Sequence, residues 1–471
     1  MAIKFGTDGW RAKIADEFTF ANLELVTKAL VLSLKQAQPE NKLICVGYDN
    51  RFQSEDFAQK AAEICSAFGY KVFLAKASLP SPVLSFYTKK HQAAIGIMIT
   101  ASHNPPEWNG FKLKEAYGGS AQVETTQAVE KNLEKAQQIK AASSKGEIIH
   151  FDPKKDYFDY LARKFDLSQF NGKDIRLIVD PMYGSGLGYL KEFLAPSSVQ
   201  VTEINNYRDP LFGGKHPEPL PIYLEDLIDV TQSMTQQYPE SLVLGTALDG
   251  DADRIAGADG NFGYISSHQA FILILKHLVE NKKLSGKVVK TFNITQIVDK
   301  MCRKYKKTLD ITPIGFKYLA KKMIAEDVIM GGEESGGLGV KDHLPERDAV
   351  YNTLLLLELV AKEEKPLGVI INELMEEHGV YYYNRIDLHL KEEQKQKLMN
   401  LLKTKTPKSF ANKKVVDIQT LDGFKMFFED DSWILFRASG TEPLLRIYSE
   451  ARSSEDLKLI LGAGEKLATT I

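Results

Sequence analysis

Three aspartates at alternate positions, Asp249, Asp251 and Asp253, follow the apolar run 242–248 in the stretch Asp249-Gly250-Asp251-Ala252-Asp253-Arg254. Crowded carboxylates repel one another, and a hard cation such as Mg²⁺ or Ca²⁺ relieves that repulsion through oxygen ligands. An EF-hand is excluded: Arg254 stands where that loop needs glycine, and Gly260 where it needs the bidentate glutamate. The competing reading is a solvated acidic turn.

A second chemistry sits in Thr100-Ala101-Ser102-His103-Asn104-Pro105. The elbow of a serine hydrolase would need glycine at positions 100 and 104, where Thr and Asn stand. Taken alone, Ser102 is a residue in an ordinary Ser/Asn turn. Beside the aspartate loop it reads as a phosphoryl carrier, because a phosphoserine's charge and acceptor oxygens match a magnesium ion held by three aspartates. Arg437-Ala438-Ser439-Gly440-Thr441-Glu442-Pro443 has the make-up of an anion cradle. Arg437 supplies a fork of donors, Ser439 and Thr441 supply hydroxyls, and Gly440 lets backbone N–H groups approach. Gly331-Gly332-Glu333-Glu334-Ser335-Gly336-Gly337 joins a flexible backbone to carboxylates that can accept from vicinal sugar hydroxyls. Either loop, in isolation, could equally be a polar turn.

Arg11 and Lys112 are basic groups near this chemistry, and Lys112 could serve as general acid or base. His103 could orient a phosphate or simply shape its turn. The run Gly184-Ser185-Gly186-Leu187-Gly188 lacks dinucleotide-loop spacing and reads as strand-to-helix packing.

Elements must hold these loops. Short, continuous apolar runs end abruptly in turns rich in Gly, Asp, Ser or Asn: 43–46, 95–99, 175–179, 242–248, 328–330 and 433–436. Such runs suit strands buried on both faces. Helical stretches lie between them, at 270–280 and 351–363, and 391–405 is charged and helix-favouring. The alternation predicts α/β sheets, with ligand chemistry in the turns beyond strand ends. Composition breaks divide the chain into 1–145, 146–256, 257–376 and 377–471.

The 471 residues are 44% hydrophobic and carry 60 basic against 62 acidic side chains, a formal net charge of -2, which is not the footprint of a nucleic-acid binder. Cys45, Cys65 and Cys302 are far apart and read as small buried hydrophobes. The start of the chain has no apolar leader region, and no apolar run would span a bilayer. The expected setting is cytoplasmic, without membrane or nucleic-acid partners, as a monomer or homodimer.

Phe5-Gly6-Thr7-Asp8-Gly9-Trp10-Arg11, the 100–105 loop, the 249–254 loop, the 332–336 loop and the 437–443 loop occur in the order seen in α-D-phosphohexomutases, which the chain resembles over nearly its whole length. The resemblance implies four domains around a central cleft. The first three would be related mixed α/β sheets with helices, and the fourth a smaller α+β domain. It implies that Ser102 is a phosphoserine, and that Asp249, Asp251 and Asp253 hold one Mg²⁺ together with an oxygen on Ser102. Arg11, His103 and Lys112 would lie beside the transferring group. Gly332, Glu333 and Ser335 would read the sugar, with Lys317 and Arg254 near the substrate, while Arg437, Ser439, Gly440 and Thr441 would grip the phosphate that is not reacting.

Gly332-Glu333-Glu334-Ser335 and Gly315-Phe316-Lys317 look more like the phosphoglucomutase branch. The implied reaction interconverts glucose 1-phosphate and glucose 6-phosphate, with glucose 1,6-bisphosphate as intermediate and activator. Phosphomannomutase or dual mannose/glucose activity is the nearest alternative, and phosphoglucosamine mutase a more distant one. A metal-dependent phosphatase or kinase of another fold, and a non-catalytic sugar-phosphate-binding protein, are the readings from other classes.

Overall fold

The computed structural model describes residues 3–6, 8–405, 407–438 and 444–470. It divides into two compact units, 1–287 with 315–370, and 288–314 with 371–471.

In the first unit, one sheet runs in the order Trp10–Lys13, Trp108–Glu115, Ile95–Ile99, Leu43–Tyr48, Lys71–Ala75, Ile148–Phe151, with Gly119–Ser120 added to Trp108–Glu115. Leu43–Tyr48 pairs in parallel with both Lys71–Ala75 and Ile95–Ile99. Both Leu43–Tyr48 and Ile95–Ile99 are buried along their whole length, as continuous apolar runs require of a sheet covered on both faces. A second sheet runs Gly263–Ile265, Ile255–Asp259, Leu242–Leu248, Ile175–Asp180, Gln200–Glu203, with a parallel core at 242–248, 175–180 and 200–203. The unit also holds the antiparallel pair Val328–Gly332 and Leu338–Val340.

One topological device recurs. Ile95–Ile99, Leu242–Leu248 and Val328–Gly332 each lead into an antiparallel partner, Trp108–Glu115, Ile255–Asp259 and Leu338–Val340. The three loops singled out in this part of the sequence are the connections of these hairpins. Chemistry-bearing turns at strand ends were expected; their shared place in three hairpins is what the structure adds.

The second unit is different. Its six-stranded sheet, in the order Tyr382–His389, Leu444–Ala451, Trp433–Ala438, Phe424–Phe428, Lys413–Gln419, Ser409–Phe410, is antiparallel throughout. Tyr382–His389 mostly alternates in burial, as an edge strand does when one face meets water. Helices Glu392–Thr404 and Ser454–Thr469 contribute buried leucines to this unit's core. The parallel pair Lys287–Thr291 and Leu309–Thr312 also belongs largely here. Among the described residues no helix is long and apolar enough to cross a membrane. Cys45, Cys65 and Cys302 are free and buried, as expected of small hydrophobes.

Candidate active site

Ser102 follows the buried strand Ile95–Ile99, is 1% exposed, and has φ 55°, a left-handed conformation that costs a non-glycine residue on the order of 1–2 kcal/mol. A clamp holds it there. The fully buried Arg51 donates from one terminal nitrogen to the carbonyls of Ser102 and Asn104, both at 2.6 Å, and from the other to those of Pro105 at 2.8 Å and Trp108 at 3.0 Å. Its Nε lies 3.2 Å from Asp49, which in turn accepts from Thr100 at 2.5 Å. Thr100 Oγ1 accepts the Ser102 N–H at 2.9 Å. The two prolines after Asn104 keep this segment from starting a helix, and the chain passes instead into the strand Trp108–Glu115.

That strand carries Lys112, which is fully buried. Its ammonium is 2.8 Å from Asp251, 2.9 Å from Asp8 and 3.5 Å from Asp253. Burial alone would depress the Lys112 pKa, but Asp251, Asp8 and Asp253 push it above its ordinary value. Burial would likewise raise Asp8, but Lys112 and then Arg347 hold its carboxyl well below the usual range. Lys112 is thus a charge neutraliser for these carboxylates.

The aspartate loop is not a solvated turn: Asp249, Asp251 and Asp253 are all fully buried. One carboxylate oxygen from each lies within 4.8 Å of the others. Four neighbouring segments pin the loop's backbone. Ser81 N–H donates to Asp251 O at 2.9 Å, Ala349 N–H to Ala252 O at 3.1 Å and Ser185 N–H to Gly250 O at 3.0 Å, while Gly250 N–H donates to Pro217 O at 3.2 Å. Ala252 is also left-handed, at φ 56°. Asp249 Oδ1 accepts from the N–H groups of Asp253 and Arg254, and Asp249 Oδ2 accepts from Ser102 Oγ at 2.8 Å. Gly250 has no room for a side chain, since a Cβ there would lie 2.5 Å from Ser102 O. The two loops therefore meet backbone to backbone.

These residues fit a hard divalent cation. The donors are all carboxylate oxygens. Asp251 Oδ1 and Asp253 Oδ1 are buried without a hydrogen-bond donor among the described residues. Burial first, and then the neighbouring Asp253 and Asp251, push the Asp249 carboxyl well above its ordinary range.

Sequence reasoning missed Arg347. It is 4% exposed, donates to Asp8 at 2.6 Å, and approaches Asp253 at 2.7 Å, Glu333 at 3.6 Å and Glu346 at 3.7 Å. It immediately precedes Asp348, whose carboxylate caps the helix Ala349–Glu363 by accepting from Tyr351 N–H at 3.0 Å. Glu346, beside it, forms a buried pair with Lys114 at 2.6 Å. The signal was present: Pro345-Glu346-Arg347-Asp348 places three charges directly before a leucine-rich helix. Arg51, Asp8 and Ser81 were also given no role; Ser81 Oγ donates to Asp251 Oδ2.

Of the other expected residues, Arg11 donates to Asn104 Oδ1 at 2.7 Å, so it touches the Ser102 loop. His103 is half-buried in that loop. Arg254 lies 3.9 Å from both Asp249 and Asp253 and 3.7 Å from Glu218. Glu333 is buried against Arg347, Ser335 is half-buried, and Gly332 has no space for a Cβ beside Leu338 and Phe271. Lys317 is half-buried, its pKa lowered by burial and opposed by Asp8. In the second unit, Arg437 donates from Nε to Asp422 at 3.1 Å. Ser439, Gly440 and Thr441 lie outside the described residues.

Comparison with known proteins places these loops in context. Four family descriptions match successive stretches: Phosphoglucomutase/phosphomannomutase alpha/beta/alpha domain I over residues 2–140, domain II over 155–263, domain III over 266–378, and the C-terminal domain over 390–463. A Thermococcus kodakarensis protein named phosphoglucomutase/phosphomannomutase is 29% identical over 464 residues, covering 98% of each chain. A Sulfurisphaera tokodaii phosphoglucosamine/phosphogalactosamine mutase is 28% identical, covering 95% of each. Among solved structures, a Thermus thermophilus protein described as a "putative phosphomannomutase" is 34% identical with a TM-score of 0.87, covering 100% of this chain and 99% of its own.

Proposed function

The chain belongs to the phosphoglucomutase/phosphomannomutase family of phosphosugar isomerases, and from that premise we propose that it interconverts glucose 1-phosphate and glucose 6-phosphate through a phosphorylated Ser102. The observation that carries this reading is the buried 2.8 Å contact between Ser102 Oγ and the aspartate triad. A serine held in a strained turn against three carboxylates is poorly suited to hydrolytic attack. It suits a phosphoryl group that shares a cation with those carboxylates.

In the first half-reaction the phosphoryl on Ser102 passes to the free hydroxyl of a hexose monophosphate. The new P–O bond forms to the sugar, the bond to Ser102 Oγ breaks, and the hydroxyl proton ends on Ser102. The product is glucose 1,6-bisphosphate, which turns over, and Ser102 then takes the other phosphoryl. Such transfer needs positioning and charge neutralisation more than covalent chemistry. Asp249, Asp251 and Asp253 would hold Mg²⁺, whose chemistry when bound is to withdraw charge from the transferring phosphoryl. Lys112 and Arg11 contribute fixed positive charge around Ser102, and Arg51 holds its backbone. Arg347 aims Asp8 and Glu333, and Glu333 with Ser335 reads the sugar hydroxyls. Arg437 grips the second phosphate, with Ser439, Gly440 and Thr441 of the same motif; Lys317 and Arg254 lie toward the substrate.

A second reading is phosphoglucosamine mutase, favoured by the name of the Sulfurisphaera relative; the Thermococcus and Thermus relatives keep mannose phosphate in view. The test is a side-by-side assay of glucose, mannose and glucosamine phosphates, with intact-mass measurement of Ser102 phosphorylation. The expected result is highest kcat/KM for glucose 1-phosphate, and loss of both turnover and covalent phosphate in Ser102→Ala. Substantial turnover by Ser102→Ala refutes the phosphoserine; a preference for glucosamine phosphate refutes only the sugar.

A further inference from the structure

We infer that Asp422 is a positioning residue for the phosphate grip: its carboxylate sets the aim of the Arg437 guanidinium and ties it to the backbone at Ile314. The inference rests on the reading of Arg437 as a phosphate ligand.

Asp422 lies in the turn between the strands Lys413–Gln419 and Phe424–Phe428. Aspartates in turns usually bond their own nearby backbone. This one instead reaches two remote segments with a single oxygen. Asp422 Oδ2 accepts from Arg437 Nε at 3.1 Å and from Ile314 N–H at 2.8 Å, partners 15 and 108 residues away. The turn is built for that approach. Gly423 has φ +110°, and a Cβ there would lie 2.4 Å from Phe436 O and 3.3 Å from Arg437 Cα. Only glycine lets the turn lie directly on the strand that carries Arg437.

The chemistry follows from which edge of the guanidinium is used. A carboxylate at Nε, with the Tyr448 hydroxyl as the guanidinium's other side-chain partner, fixes the plane of the group, and the remaining N–H groups are suited to a second oxyanion. Burial would lower the Arg437 pKa, but Tyr448 and then Asp422 raise it, so the side chain stays a cation in a partly buried place. The link to Ile314 adds a second constraint. The segment 312–314 and the arginine share one acceptor, so displacing either disturbs the other. A phosphate grip that depends on angle is sensitive to such a support, since small misplacements of a binding group cost large factors in rate or affinity.

The test uses the full-length phosphorylated enzyme and the hexose 1-phosphate it turns over best. Asp422→Ala is expected to raise KM about tenfold, as loss of one aimed charge-assisted contact would, with a much smaller change in kcat. Asp422→Asn keeps an acceptor of the same shape and is expected to show a smaller rise. Arg437→Ala is expected to raise KM at least as much as Asp422→Ala, and the double variant no further than Arg437→Ala alone. Multiplying effects in the double variant overturn the inference, because Asp422 would then act independently of Arg437. A raised KM in Arg437→Ala with unchanged KM in both Asp422 variants overturns it as well and leaves the phosphate-grip reading intact. An unchanged KM in Arg437→Ala overturns that reading and the inference with it. Thermal melts accompany each variant; should Asp422→Ala fail to fold, Asp422→Asn alone and with Arg437→Ala carries the same comparison.

Discussion

Replacing Lys112 by methionine removes the cation on which two buried carboxylates and the half-buried Asp8 converge, at 2.8 Å for Asp251, 2.9 Å for Asp8 and 3.5 Å for Asp253. Methionine keeps much of the apolar stem, so the loss is chiefly of charge. Taking one partner from a buried ion cluster costs about 3–5 kcal/mol, because the others remain charged and desolvated. Arg347 still faces Asp8 at 2.6 Å and Asp253 at 2.7 Å. The damage therefore falls mainly on Asp251, which keeps the Ser81 hydroxyl, and the cost should sit at the lower end, about 3 kcal/mol. Units of 150–250 residues lose roughly 2–4 °C of melting temperature per kcal/mol. The first unit is larger than that, so a drop on the order of 5 °C in the presence of EDTA is expected. The assay is thermal melting of wild type and Lys112→Met, both in one phosphorylation state by intact mass, in EDTA and then in millimolar MgCl₂. A cation among Asp249, Asp251 and Asp253 restores the missing positive charge, so the gap between the two proteins should narrow on adding magnesium. A gap of unchanged or greater width would refute the reasoning, because Lys112 would not be neutralising the carboxylates that hold the cation. Turnover should fall by roughly two to three orders of magnitude, the usual cost of removing a preorganised charge-stabilising group.

Three further expectations concern the scaffold. Arg51→Lys cannot span the four carbonyls that Arg51 bridges; it should cost about 2–4 kcal/mol in urea unfolding and lower turnover at least tenfold, whereas wild-type stability would deny the clamp. Ser102 is left-handed at φ 55°, so Ser102→Gly should be about 1 kcal/mol more stable than Ser102→Ala although neither turns over; equal stabilities would mean the turn stores no strain. Burial raises the Asp180 carboxyl to about 6 from an ordinary 3.8, against bonds from Met182 N–H and Asn205. The folded state then binds more protons between those values, so stability is fully present below 3.8 and is lost as pH rises through 6. Relative to Asp180→Asn, wild type should lose on the order of 3 kcal/mol between pH 4 and 7, and a difference flat with pH would contradict the assignment.

The sequence made the loops legible because each follows a continuous apolar run, and a run buried on both faces cannot hide its end. It made the aspartate triad legible because alternate carboxylates are costly without a partner. Arg347 escaped for the opposite reason: its partners Asp8 and Asp253 lie far away in sequence, and a lone arginine before a helix looks like solvent-facing charge. Arg51 escaped similarly, since its four acceptors are backbone carbonyls that no side-chain pattern records. Trp433–Phe436 resembled the buried runs of the first unit, yet its strand pairs antiparallel on both sides; an apolar run reports burial and not strand direction.

The two loops proposed to carry the chemistry share a property that motif reading does not reach. Ser102 and Ala252 are both non-glycine residues in left-handed conformations, and both are buried. Each would relax if its anchors let go. Arg51 supplies the anchors for Ser102, while Ser81, Ser185, Pro217 and Ala349 supply those around Ala252. These anchors lie outside both loops, on segments of the surrounding scaffold. Strain held this way fixes the place of Ser102 Oγ beside Asp249 Oδ2 in the unphosphorylated chain, so on the proposed mechanism little backbone reorganisation is needed when phosphoryl charge develops. For a mutase the same geometry must serve twice, once in giving the phosphoryl and once in taking it back. On the proposed reading, a rigid Ser102 and a rigid carboxylate triad meet that demand, and the reorientation is left to the sugar.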